Sequence, residues 1–306
     1  MRFNIISNID NGHGLQRDYE ILRGLLEDAG HQVNGVRYDR MRSAQKADVN
    51  MFLEMALPVF DASAENWLIP NPEWFYSHYA PNLGGYSRVL CKTKDALEIF
   101  KRLTPCAEYL GFESTDHYRP EIKRERRFLH VAGKSPHKGT AAIVEAWRSF
   151  NIPYPLTIIS SKAESVCSKN VRVLRRVSDS EFIDLLNSHL FHLCPSQYEG
   201  WGHCLHEGLG VGAAVLTTDA PPMSDFVDNN CAISCKKKGE HFLAPLYEAS
   251  PEAIAEKVEC LMSLSDKAVS GIGAKNRKRF LESRFKFRVN IDAVIEPYIK
   301  GIACAS

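Results

Sequence analysis

The sequence predicts an α/β protein of two successive doubly wound domains, each a Rossmann-like parallel sheet with helices packed on it. Three observations predict it. Short apolar runs alternate with stretches of helical periodicity, and this alternation occurs twice along the chain. Between the two series, residues 111–127 turn polar and charged ("FESTDHYRPEIKRERR") and lose all apolar periodicity, as an interdomain linker would. The chain has 306 residues, enough for two domains at roughly 100–200 residues each. The expected domains are 1–126 and 127–306, with the C-terminal helices of the second packing back on the first.

Taken in order, "FNIISN" at 3–8 reads as a strand and the loop "IDNGHG" follows. A helix comes next at 15–30, where Leu15, Tyr19, Leu22, Leu25 and Leu26 recur at helical spacing until Gly30 stops it. Strands are expected at 31–38, 47–55, 66–71 and 87–93, and a helix at 94–103 between the last of these and "CAEYLGF" at 106–112. The second series gives a strand at 127–133, the loop "KSPHKG", a helix at 140–150, strands at 154–160 and 171–177, and a helix at 178–189. Ser178 caps that helix, with Glu181 three residues on as in a capping box. A strand at 190–196, a helix at 203–212, a strand at 213–218 and tail helices at 250–265 and 289–302 complete the reading.

Composition narrows the function classes. A formal net charge of +1 gives no global bias toward nucleic acid or anionic membranes. The apolar runs are short and broken by charges or Pro, below the ~20 residues of a spanning helix, so no integral membrane segment is expected. Nine cysteines without a repeating framework, after a start that lacks the layout of a secretory signal, predict reduced thiols and a cytoplasmic protein.

The informative stretch is "PSQYEGWGHCLHEGLGVGAAV", 195–215. Gly200 and Gly202 let the backbone approach a ligand closely, and the helix start after them offers unpaired N–H groups suited to phosphate. Glu199 in the loop and Glu207 inside the helix can each accept hydrogen bonds from hydroxyls. A diphosphate flanked by two polyols describes a nucleotide sugar. The stretch resembles the C-terminal domain signature of the GT-B glycosyltransferases, specifically the retaining enzymes of family 4, in which two Glu residues separated by seven lie in a "PS..EG.G....E....G.PV" context. A second segment, "FLHVAGKSPHKG" at 128–139, resembles the family's strand ending in "GR" and its following "KG"; Lys134 stands where the family has Arg, and Lys138 matches its Lys. The likeness is strong over 127–227 and weaker before it.

The resemblance implies two Rossmann-like lobes around a cleft, with the donor held by the second and the acceptor by the first. Carried over, Lys134 and Lys138 hold the diphosphate, Glu199 the donor sugar, Glu207 the ribose, and the backbone from Gly200 through Trp201 and Gly202 to His203 the sugar or phosphates, with Gly133 and Thr218 also lining the donor site. The expected activity is hexosyl or pentosyl transfer from a nucleoside-diphosphate sugar, UDP-linked in preference to GDP-linked, to a hydroxyl, with retention and no metal or other cofactor. Glu199→Ala is expected to cut turnover at little cost in stability.

Other features carry two readings. "NGHG", including Gly12, His13 and Gly14, is either a tight turn or a cleft contact, and His78 is either a surface side chain or an acceptor contact. His203 and His206 have zinc-like spacing with no third ligand in place. Residues 217–227 either line the donor pocket, through Thr218, Met223 and Ser224, or form a turn. Trp67, Trp74 and Tyr76 are core residues or a stacking platform. The acceptor stays open among a glycan, a small molecule, a protein and a hydroxylated base in DNA, the last requiring the basic segments 37–46 and 92–102 to share a face. A non-catalytic binding module and a nucleotide-sugar epimerase remain alternatives, and the oligomeric state is open.

Overall fold

The structure is a computed structural model that describes residues 1–306 except 11, 13, 60, 62, 63, 134, 163–168 and 306, with the backbone alone for 300–305. The chain divides into two units. The first holds Met1–Glu113, the short segment His241–Ala244 and the chain from Ser283 onward; the second holds Ser114–Glu240 and Pro245–Glu282.

In the first unit the strands are β1 (Arg2–Ser7), β2 (Gln32–Arg37), β3 (Val49–Glu54), β4 (Glu65–Pro70), β5 (Arg88–Cys91) and β6 (Ala107–Tyr109), with helices α1 (Gly14–Asp28) and α2 (Lys94–Phe100). They form one sheet in the order β2-β1-β3-β4-β5-β6, and every pairing is parallel. Buried Phe3, Ile5, Ile6, Phe52, Leu68 and Val89 explain why these strands read as apolar runs. One polar row crosses them. Asn34 donates to Asn4 at 3.1 Å, Asn4 to Asn50 at 2.9 Å and Asn50 to Asn66 at 3.3 Å, each pair in direct register. Asn4, Asn50 and Asn66 are buried, so a one-residue slip, which would break this row, is disfavoured across four strands.

The second unit contains β7 (Glu125–Gly133), β8 (Leu156–Ser160), β9 (Val171–Leu174), β10 (His189–Cys194), β11 (Ala214–Thr218) and β12 (Ala232–Ile233), ordered β12-β11-β10-β7-β8-β9 and parallel throughout. Its helices are α3 (Thr140–Ser149), α4 (Asp179–Ser188), α5 (His203–Gly210) and α6 (Pro251–Met262). At the centre Phe128 of β7 stacks on Phe191 of β10 with centroids 4.9 Å apart. Ser178 caps α4 as expected, its hydroxyl accepting from Glu181 N at 3.2 Å.

Three features differ from the sequence reading. The two-residue edge strand β12 was not expected, because it is too short to show a period. A polar hairpin, β13 (Cys235–His241) with β14 (Ala244–Ala249), was not expected, because "CKKKGEH" has neither alternation nor apolar content. The tail forms one 40-residue helix, α7 (Asp266–Ala305), where only its last part was expected. Charges crowd its middle and obscure the periodicity, and it runs through Pro297.

Four histidines lie buried in the second unit. Burial is the first cause that lowers each, holding His130 and His189 at about 4 and His192 and His206 at about 3. A histidine depressed in this way stabilises the fold fully above its ordinary value of about 6.5, and that stability is lost as pH falls from there toward the folded value. The urea midpoint is therefore expected to be lower at about pH 5 than at about pH 7.5. A midpoint unchanged between the two would show that these imidazoles are not held neutral.

Candidate active site

The two sequence motifs leave the C-terminal ends of adjacent strands. β7 lies at the point where strand order reverses, with β8 and β9 to one side and β10, β11 and β12 to the other. Ligands of open α/β sheets bind outside the strand ends at such a point. The first motif follows β7: Ser135 caps a single 3-10 turn, Pro136–Lys138, and Gly139 then opens α3. Gly139 has φ of 72°, and a Cβ there would run into the carbonyl oxygen of Pro195, so the "KG" dipeptide admits no other residue without strain. The second motif follows β10 and bends at Gly202, whose φ of 82° turns the chain into α5.

The loops are laced together. Gln197 N donates to the His137 carbonyl at 2.8 Å, and the His137 ring meets the Gln197 side chain at 3.0 Å. This brings Lys138 to Glu199: the ammonium and carboxylate form an ion pair with side chains 18% and 11% exposed. Ser196 Oγ donates to the same carboxylate at 2.5 Å, and Lys138 also reaches Cys204 Sγ at 3.5 Å. Burial works against the Lys138 charge, yet Cys204 and Glu199 outweigh it and hold the ammonium above its ordinary value, so it remains a fixed cation. The Cys204 thiol is held below its usual value, first by its hydrogen bond with Cys194, while burial opposes and Lys138 assists. Gly202 leaves room for this arrangement, since a Cβ there would sit 3.2 Å from Cγ of Glu199.

Deeper in, Glu207 is 1% exposed on α5, with Nε2 of His117 at 3.8 Å from its carboxylate. Trp201 is buried and stacks on His206, centroids 3.7 Å apart, while its indole N–H donates to Ser114 Oγ at 3.0 Å. That serine in turn meets the His203 ring at 2.8 Å. Thr218 is fully buried and donates to the Ser196 carbonyl at 2.6 Å, bracing the loop that carries Glu199; Met223 is buried too. Gly133 ends β7 with φ of 59°, and Gly200 is buried beside Glu199 in the chain. Among the described residues no three His, Cys, Asp or Glu side chains group as metal ligands.

Lys134 and His13 lie outside the described residues. Gly12, with φ of 70°, and Gly14, the first residue of α1, are exposed in the first unit, as is His78. Trp67 is a core residue with no exposure, whereas Tyr76 is 39% exposed. Sequence reasoning placed Ser196 in the motif without giving it a role, and missed Cys204, Gln197 and Ser114, for which neither residue type nor spacing gives a signal. Among the described residues no helix is long and apolar enough to cross a membrane.

A family model for glycosyl transferases group 1 matches residues 115–279, more than half of the chain. The chain belongs to this family. The group 1 glycosyltransferase also resembles solved structures along nearly its whole length. A glycosyltransferase from Rickettsia africae has TM-score 0.72 at 12% identity, with 96% of this chain and 97% of that one covered. Sucrose-phosphate synthase from Thermosynechococcus elongatus has TM-score 0.75 at 10% identity, covering 98% and 100%. Anabaena HepE, solved in complex with UDP and glucose, has TM-score 0.68 at 11% identity, covering 98% and 99%. At these identities the likenesses establish the GT-B fold. No protein of curated function matches the chain in sequence.

The burial of the pair corrects one expectation. Glu199 is 8% exposed rather than a loosely held loop carboxylate, and its removal strands a buried ammonium. Glu199→Ala is therefore expected to lower stability by about 3 kcal/mol, and the isosteric Glu199→Gln by less, as read by urea unfolding. Equal and negligible losses for both would show that the pair is not buried in solution.

Proposed function

We propose that this glycosyltransferase moves a sugar from a UDP-linked donor to a hydroxyl acceptor with retention of configuration and without a bound metal, and that the second unit holds the donor. The observation that carries the reading is the Lys138–Glu199 pair, set where the loops after β7 and β10 converge beside the N-terminus of α5. Lys138 supplies a fixed charge for the diphosphate, which leaves as positive charge grows at the anomeric carbon. The first N–H groups of α5 add partial positive charge on the same side. Glu199, released from Lys138 when phosphate takes the ammonium, accepts from donor-sugar hydroxyls. Glu207 accepts from the ribose. The family membership and the UDP held by HepE support a nucleotide-sugar donor.

Each part performs a task without proton transfer from the protein. A lysine held above its ordinary value stays charged and does not act as an acid at neutral pH. Attack on the face from which the diphosphate leaves, with a phosphate oxygen taking the acceptor proton, needs only that the cations stay in place.

The test is titration and turnover on purified protein. Lys138→Met is expected to weaken UDP binding about tenfold, or about 1.4 kcal/mol. Glu199→Gln is expected to lower kcat with a UDP-sugar by about a hundredfold while leaving UDP affinity within about threefold. Unchanged UDP affinity in Lys138→Met would refute the diphosphate assignment.

A further inference from the structure

Two cysteines bracket the loop that carries Glu199. Cys194 is the last residue of β10 and Cys204 the second of α5, and the nine residues between them, 195–203, read "PSQYEGWGH". Both thiols are free and belong to one core cluster, Cys194 at 4% exposure and Cys204 at 8%. Their side chains are hydrogen-bonded to each other. The Cys204 sulfur also has the Lys138 ammonium at 3.5 Å, and it sits in the first turn of α5, where the helix dipole adds partial positive charge.

A cation, a helix start and a hydrogen-bond donor meeting at one sulfur favour a thiolate. The proton between the two sulfurs stays on Cys194, whose thiol is held above its usual value first by the bond to Cys204 and then by burial, while Cys204 is held below. Other buried thiols differ. Burial pushes Cys91 up to about 12 and Cys231 up to about 11, so both stay protonated at neutral pH. A thiolate beside a second thiol that can resolve it is the arrangement that reacts reversibly with peroxides.

We propose that Cys194 and Cys204 are a redox pair that hydrogen peroxide closes into a disulfide, and that this bond switches the donor site off. The Cys204 thiolate attacks a peroxide oxygen, the O–O bond breaks, and hydroxide leaves with the Cys194 proton as water, giving a Cys204 sulfenic acid. The Cys194 thiolate then attacks that sulfur: the S–S bond forms, the S–O bond breaks, and hydroxide leaves with a solvent proton as a second water. The two thiols lose two electrons and the peroxide gains them. The disulfide closes a ring around 195–203, the residues that carry Glu199. Bringing the sulfurs from hydrogen-bond separation to ~2.05 Å draws the end of β10 and the start of α5 together. It also removes the Cys204 charge from beside Lys138, so the loop that sets Glu199 against that ammonium loses its geometry. The chemistry of the pair stands on the thiols alone; its effect on the donor rests on the transferase reading.

The experiment treats the full chain with hydrogen peroxide, alkylates the remaining thiols under denaturing conditions and cleaves after Glu, which separates fragments 182–199 and 200–207 for mass spectrometry. The wild type is expected to give these two fragments joined by a disulfide that dithiothreitol breaks, and to bind UDP about tenfold more weakly when joined, with recovery on reduction. Cys194→Ser is expected to give no joined fragments, to accumulate a Cys204 sulfenic acid that dimedone traps, and to bind UDP before oxidation as the reduced wild type does. Cys260→Ser, which removes an exposed thiol of α6, is expected to respond as the wild type does. Absence of the joined fragments from wild type whose Cys260 has been oxidised would overturn the pair. Joined fragments with UDP affinity unchanged would overturn the switch. A reduced wild type that binds no UDP yet joins the fragments would defeat the donor reading and the switch with it, and leave the redox pair standing.

Discussion

A buried ammonium that keeps its charge is the constraint on which the second unit is organised. Lys138 and Glu199 come from loops sixty-odd residues apart in sequence, and neither is tolerable there alone. The surrounding contacts serve the pair. Gly139 permits the close approach to Pro195, Ser196 donates to the carboxylate, Thr218 braces the Ser196 carbonyl, and the His137–Gln197 contacts tie loop to loop. Such a pair is weak evidence for stability, since apolar residues of similar volume would serve a core as well or better. Its position at the strand-reversal point of an open sheet, where ligands of such folds bind, is what the proposed role as an anion site rests on.

The two units share one topological feature. In each unit the first strand lies inside the sheet, the next connection crosses to one side and a later one to the other, which leaves a crevice at the strand ends. In the second unit the loops at those strand ends are Gly-rich and carry Lys138 and Glu199.

Much of this was legible in the residues. Periodicity placed most strands and helices of both units to within a few residues, because parallel strands buried on both faces read as apolar runs, whereas the two-residue β12 is too short to show one. The loops around Glu199 and Lys138 stood out through residue types that backbone geometry demands, above all Gly139 and Gly202. The hairpin 235–249 stayed hidden because its first strand is polar, and the long α7 because its charges mask its apolar stripe. The asparagine row was present in the sequence, one Asn in each of four strands, but hydropathy is blind to a pattern that matters only once the strands are in register.

The central claim is that the Lys138–Glu199 pair is the donor's binding device and not a structural bridge. A double-mutant cycle with Lys138→Met and Glu199→Gln, measured by urea unfolding with and without saturating UDP, tests it most directly. The account predicts a coupling of at least about 1 kcal/mol in the free protein that shrinks toward zero when UDP is bound, because the diphosphate takes the ammonium from the carboxylate. A coupling that UDP leaves unchanged, or the absence of any coupling in the free protein, would contradict it.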